Sequence, residues 1–505
     1  MIDQISGQII RNGLTVPARP HTKQIPWLLL VLTLLSILPF WTVRYPVMAD
    51  YPNHLARWFV LAHANDPHFH FSHFYSPAWG LLPYISLDVL ATVLQYIFPV
   101  EVVGRCILSL CVISVTLASF FFIKKACPEN SELAIFAIAV AFNPNFLMGS
   151  LSDEASIALC LFVIGLWIVC CSSPRVGTCV GVAVLLVCLY LSHLIGFLVA
   201  VVVMGVYALF QAERLKKLGL LAILSLPAMA LFFNNFLHFN ASSRFNYKGF
   251  TLWDKFRALP FPVRLFTSKT LDALFLGGLV LFIIVLFRKT RLRAQPVWIA
   301  VCGVVVLLYF AAPGEYGLGG YADVRILPFL YLLSLAAFQI RKIPWYLVAG
   351  LTLLVVFRVV IVEQMFLGQQ HQLQQLSMSF EAIPRNARVM QLQHQDHHDV
   401  IMGRGDLHHL DYGVIQRGFL VPSLFHLPGV QPIRLVADVY CPNIFCYVWD
   451  PNADTDWEKI AKSYDYLWLV KNPALAPFAS RIGDVVFSND AVTVYQIRHP
   501  CRAPR

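Results

Sequence analysis

The sequence predicts a polytopic α-helical membrane protein with a small C-terminal α/β domain outside the bilayer. Three observations predict it. Of 505 residues, 58% are hydrophobic and 13% are charged, about half the roughly 25% charge of a soluble protein. The apolar residues lie in long blocks separated by basic residues, and mean hydropathy is +0.65. After about residue 369 the composition turns polar and rich in turn residues. So little charge cannot cover a water-soluble body of this size, which excludes a cytosolic enzyme. The net charge of +10 reads first as a topology signal.

A crossing helix needs about 20 apolar residues. Blocks at 25–43, 102–123, 132–147, 155–171, 176–191, 194–210, 218–237, 271–287, 296–311, 326–340 and 343–362 meet that need, several at the short end, giving about eleven crossings. The 176–210 block is too long for one crossing and requires a tight turn at Ser192 and His193. With Arg19 and Lys23 inside, alternation puts Lys124, Lys125, Arg175, Arg214, Lys216, Lys217, Arg288, Lys289, Arg291, Arg293, Arg341 and Lys342 inside as well. The first block lacks a small-residue cleavage site and reads as an uncleaved anchor. The chain then divides into a cytoplasmic tail (1–24), a transmembrane domain (25–366) with an external loop at 44–101, and a periplasmic α/β domain (367–505). Short strand-like runs at 388–392, 466–470 and 491–495 mark that last domain. It holds Cys441, Cys446 and Cys501, so a disulfide is open to it in an oxidising compartment.

Chemistry belongs on the outer face, where the acids and nearly all histidines collect. The most informative segment is Asp50-Tyr51-Pro52-Asn53-His54-Leu55-Ala56-Arg57-Trp58-Phe59. Pro52 suits the first turn of a helix. Leu55, Phe59 and Ala62 then share one face, and His54 and Arg57 another, as in an amphipathic helix lying in the outer interface. Asp50 precedes its N-terminus, where an ionised carboxylate is favoured. A carboxylate with a His and an Arg one turn away suits a general base beside an anion-binding group. The same residues also suit plain helix capping with interfacial anchoring.

This arrangement, a carboxylate in the first external loop followed by a multi-helix domain and an outer C-terminal domain, resembles the GT-C superfamily of integral-membrane glycosyltransferases. The run Trp79…Pro83…Leu87-Asp88 fits the same pattern. The resemblance implies a GT-C-like membrane domain and a sugar donor carried on a polyprenyl phosphate. It implies a glycan, lipid or protein acceptor at the outer face of a bacterial inner membrane, with Asp50 as catalytic base. Asp153 and Glu154, in the second external loop, occupy the place of a second acid. One departure is that Asp50 has no adjacent carboxylate; the next acid is Asp66.

A departing phosphate needs cations more than a general acid. Arg325 and Arg358, near outer helix ends, lead as phosphate partners, followed by Arg57, Arg244, Lys248 and Arg264. His193 at its turn and Asp323, two residues before Arg325, complete the candidate binding set. Histidines and acids at 394–399, with Asp406, His408, His409 and Asp411, leave a divalent metal open, although no zinc signature is present. Nucleotide-binding and Gly-x-Ser-x-Gly motifs are absent, and no partner among nucleic acids is implied. Two other readings compete: a transporter or scaffold in envelope polysaccharide assembly, and an inactive relative that binds glycan through its outer domain.

Overall fold

The computed structural model describes residues 25–238, 245–246, 251–266, 268–316, 320–393, 404–426, 429–436, 438–443, 446, 448, 455–470 and 473–498. The N-terminal tail, Arg244, Lys248, Cys501 and the histidines at 394–398 lie outside them.

Each apolar block expected from the sequence holds a helix, but not every block is helical throughout: 326–340 is helical only to Ser334 and ends in the strand Phe338–Ile340, paired with Leu292–Ala294. Ile25–Thr42, Val100–Ala126, Pro128–Met148, Leu151–Ser172, Arg214–Asn235, Lys269–Lys289 and Trp345–Ala382 are long and apolar enough to cross a membrane. Four shorter apolar helices accompany them: Val176–Ser192, Leu194–Leu209, Pro296–Ala311 and Val324–Ser334. The turn at His193 is real, with extended backbone there between two helices.

Pro128–Met148 is the most enclosed of these segments, and it is broken. A 3-10 turn at Pro128–Ile135 leads into Phe136–Ala141, and a new helix starts at Pro144–Met148 behind the Asn143 cap. Irregular backbone at membrane depth is tolerated only where protein satisfies it. Arg358 does so, donating to the Phe142 carbonyl at 2.6 Å.

The helix Trp345–Met378 runs without interruption through residues 366 and 367 and carries the outer region on its end. That region is built on a four-stranded sheet in the order Val389–Leu392, Tyr466–Val470, Val492–Ile497, Gly483–Ser488. The first pair is parallel and the other two antiparallel. Gly483–Ser488 was not among the expected strands. A disulfide joins Cys441 to Cys446.

The external loop and the outer region are stitched together. Tyr75–Pro77 pairs antiparallel with Ile433–Leu435. The Tyr75 hydroxyl donates to the Val421 carbonyl at 2.6 Å and accepts from the Val421 N–H at 2.8 Å. The helix Tyr51–Ala62 packs between Val100–Ala126 and Asp411–Arg417. Residues on most of its circumference are buried, including Asn53, Arg57, Trp58 and Leu61. The expectation of a helix lying free in the interface is thus replaced by one sandwiched in protein, because the outer region covers its polar side.

Candidate active site

Asp50 occupies the N-cap of Tyr51–Ala62, yet its side chain makes no cap hydrogen bond. An N-cap aspartate ordinarily accepts from the backbone of the first turn. Here the backbone is fixed instead, the Asp50 N–H donating to the Met148 carbonyl at 2.8 Å, and the carboxyl faces His408. Gly149 makes that approach possible. It has φ +115°, and a Cβ there would stand 2.8 Å from the Asp50 Cβ.

The Asp50 side chain keeps 22% of its surface and lies 3.7 Å from His408 Nε2. Burial pushes its carboxyl above the ordinary aspartate range, while positive charge from His408, Arg325 and Arg57 draws it back and Asp411 pushes it up. His408 in turn lies 3.2 Å from Asp411 Oδ2 through Nδ1. Asn53 fixes both: its amide N–H donates to Asp411 at 2.8 Å and to the Ser423 carbonyl at 2.9 Å, and it stands 3.2 Å from His408 Nδ1. The Asn53 carbonyl accepts from the Phe425 N–H at 2.9 Å.

One turn along the same helix, Arg57 is gripped by Asp88, with Nε at 2.9 Å and Nη2 at 2.8 Å from Oδ1. The Trp58 indole N–H donates to that same oxygen at 2.8 Å. Arg57 Nη2 also meets His54 Nδ1 at 2.9 Å. Burial and the Arg57 charge hold the His54 ring well below the usual imidazole range, so it stays neutral and can accept from Arg57. The buried Arg57 Nη1 has no hydrogen-bond partner among the described residues.

A second line of groups comes from three other chain segments. His193 is buried, with Nδ1 3.7 Å from Asp153 Oδ1 and Nε2 3.3 Å from Arg325 Nη1. The Tyr84 ring stands edge-on to His193 at 4.6 Å. Arg325 is partly exposed and its charge reaches Asp50. Asp50, His54, Arg57, Asp153, His193 and Arg325 therefore gather at one end of the helix bundle, and the outer region adds His408 and Asp411.

Three candidates point elsewhere. Glu154 turns from Asp50 and accepts from the Asn143 amide at 2.6 Å. Asp323 pairs with Lys255 at 3.4 Å and accepts from the Val324 N–H at 2.9 Å, rather than holding Arg325. Arg358 is fully buried, donating to the carbonyls of Val263 (2.6 Å), Phe142 (2.6 Å) and Arg264 (3.3 Å). Three carbonyls engage the two terminal nitrogens of a guanidinium that sequence position alone assigns to phosphate, and its buried Nε has no hydrogen-bond partner among the described residues. Arg264 itself lies 3.6 Å from Asp272.

The metal-ligand material separates in the same way. Asp406 is held by Arg404 at 2.7 Å, His409 by the Ser377 hydroxyl at 2.7 Å, and His408 faces Asp50. Among the described residues no three His, Cys, Asp or Glu side chains converge on a metal-sized site.

Sequence spacing gives no role to Asn53, Lys255 or Asp411 as the partner of His408. Asp88 was visible only as part of a run, and His408 only as one of several possible metal ligands.

No protein-family model and no curated protein matches the sequence. Among solved structures, the chain is similar to ArnT from Cupriavidus metallidurans in the apo state, at 12% identity and TM-score 0.48 over 94% of this chain and 98% of that one. It is similar to the same protein bound to undecaprenyl phosphate, at 14% identity and TM-score 0.46 over 96% and 100%. A third likeness is to the arabinofuranosyltransferase AftD from Mycobacteria, at 12% identity and TM-score 0.46, over 93% of this chain and 40% of that one. At such identities the chemistry has to be read from the residues.

Proposed function

We propose that this protein is a GT-C-type membrane glycosyltransferase that moves a sugar from a polyprenyl-phosphate donor to an acceptor hydroxyl at the outer face of a bacterial inner membrane. The observation that carries the reading is Asp50. It is a half-buried carboxyl freed from its capping duty and faced by Arg57, Arg325 and His408 from three chain segments, at one end of a bundle of membrane-length helices.

In this reading Asp50 takes the proton from the acceptor hydroxyl as its oxygen attacks the anomeric carbon. The C–O bond to phosphate breaks and its electron pair leaves on the phosphate, whose charge Arg325 and Arg57 stabilise by charge-assisted hydrogen bonds. Asp88 and His54 hold the Arg57 guanidinium in orientation, and Arg325 lies beside His193. The N-terminus lies in the cytoplasm and the outer region in the periplasm. The acceptor is a glycan, a lipid or a protein bearing an accessible hydroxyl.

The test uses purified full-length protein in nanodiscs and a panel of synthetic undecaprenyl-phosphate hexoses, N-acetylhexosamines and pentoses, scored for release of undecaprenyl phosphate. Asp50→Asn, folded to the same melting temperature as the wild type, abolishes release. Equal release from the variant removes Asp50 from the mechanism.

A further inference from the structure

We propose that the outer C-terminal region completes the active site, with His408, held by Asp411, receiving the proton that Asp50 takes from the acceptor. The inference rests on Asp50 as base in the transfer reaction.

The geometry is a line of three groups. Asp411 is fully buried at the start of Asp411–Arg417, and its Oδ2 lies 3.2 Å from His408 Nδ1. Both amide hydrogens of Asn53 are already engaged, by Asp411 Oδ2 and the Ser423 carbonyl, at 2.8 and 2.9 Å. That leaves Asp411 as the acceptor for a proton on Nδ1, and Nε2 then turns its lone pair toward Asp50 Oδ1 at 3.7 Å. Catalytic hydrogen bonds are commonly long before substrate binds, and closing about 1 Å makes this one.

The balance is simple. The acceptor O–H bond breaks, its electron pair forms the new glycosidic bond, and the pair of the old C–O bond departs on the phosphate. The proton passes to Asp50 and then to His408 Nε2. That regenerates the Asp50 carboxylate and leaves an imidazolium opposite the Asp411 carboxylate, from which it returns to water. The other charged or titratable groups facing this pair are Arg325, Arg57 and His54. None of them competes as proton acceptor: the arginines are already charged, and the His54 ring is engaged with Arg57 at 2.9 Å. The packing serves the same end. The helix Tyr51–Ala62 and Asp411–Arg417 lie against each other, so the relay crosses the seam between loop and outer region.

His408 acts through Asp50 and is a positioning residue, so its test needs readouts that simple destabilisation does not move. In nanodiscs, the carboxyl C=O infrared band of Asp50 is identified by its loss in Asp50→Asn and titrated with pH. His408→Gln removes the imidazolium and shifts the Asp50 midpoint upward by about one pH unit, and Asp411→Asn shifts it the same way by less. His409→Gln, whose native ring bonds Ser377 instead, leaves it in place. Against the undecaprenyl-phosphate sugar panel, His408→Gln lowers kcat about tenfold or more with KM little changed. An unmoved midpoint in both His408→Gln and Asp411→Asn overturns the relay, as does an equal shift in His409→Gln. Full activity of Asp50→Asn is a separate result that removes the transferase reading and the relay with it.

Discussion

Two polar clusters sit in this protein a few turns apart, and they are built on opposite plans. Around Arg358, inside the bundle, the contacts are direct hydrogen bonds to backbone groups. The guanidinium meets three carbonyls, and Asp272 accepts from the N–H groups of Leu265 and Phe266 at 2.7 and 3.1 Å while facing Arg264. Around Asp50, at the seam between loop and outer region, pairs stop short. Asp50 and His408 stand 3.7 Å apart, as do Asp153 and His193. An unpaired nitrogen does not separate the two, since Arg57 and Arg358 each have one without a partner among the described residues. A cluster of direct bonds to backbone carbonyls does structural work, since each group it satisfies would otherwise cost about 1–3 kcal/mol. One whose acid–imidazole pairs stand 3.7 Å apart, held rigid by its neighbours, keeps capacity for a ligand.

The contrast can be broken by swapping the kind of damage each cluster suffers. Asp50→Asn carries the largest expected effect, a loss of transfer of about 100- to 10,000-fold with the melting temperature equal or higher, because a buried charge is relieved. Transfer kinetics beside thermal unfolding check it. Arg358→Met gives the converse: on the order of 3 kcal/mol of stability lost through orphaned carbonyls, with turnover per folded molecule unchanged, as read by denaturant unfolding and active-site-normalised rates. Arg325→Ala comes third, weakening binding of undecaprenyl phosphate about tenfold with little change in stability, measurable by titration in nanodiscs. The smallest effect is in pH. A base must be ionised to accept a proton, and burial raises the Asp50 carboxyl, so transfer falls as pH drops through a midpoint above the ordinary aspartate value of about 3.9. A pH–kcat/KM profile with an acid limb at or below that value would count against Asp50 as the titrating group.

The same contrast explains which site residues were legible. Asp50, His54 and Arg57 lie within two turns of one helix, so their spacing announced a shared face. His193 was visible because a long apolar block must turn somewhere. Asp153 and Arg325 followed from loop order alone. Arg358 sat at an equally suggestive position and went to a different use, because a break before Pro144 left the Phe142 carbonyl in need of a donor. Likewise His408 reads as metal-ligand material among its sequence neighbours, yet Arg404, Ser377 and Asp50 draw those neighbours in different directions.

What the sequence by itself determined is the membrane plan: helix positions, the turn at His193 and a strand-bearing outer region. These follow from local hydrophobicity, chain length and turn chemistry, each acting within about 20 residues. What only the tertiary structure decided is which charges meet. Asn53 lies 355 positions from His408 and 358 from Asp411. Their meeting depends on how Tyr51–Ala62 and Asp411–Arg417 pack, and no local pattern encodes a contact made by burial across such a distance.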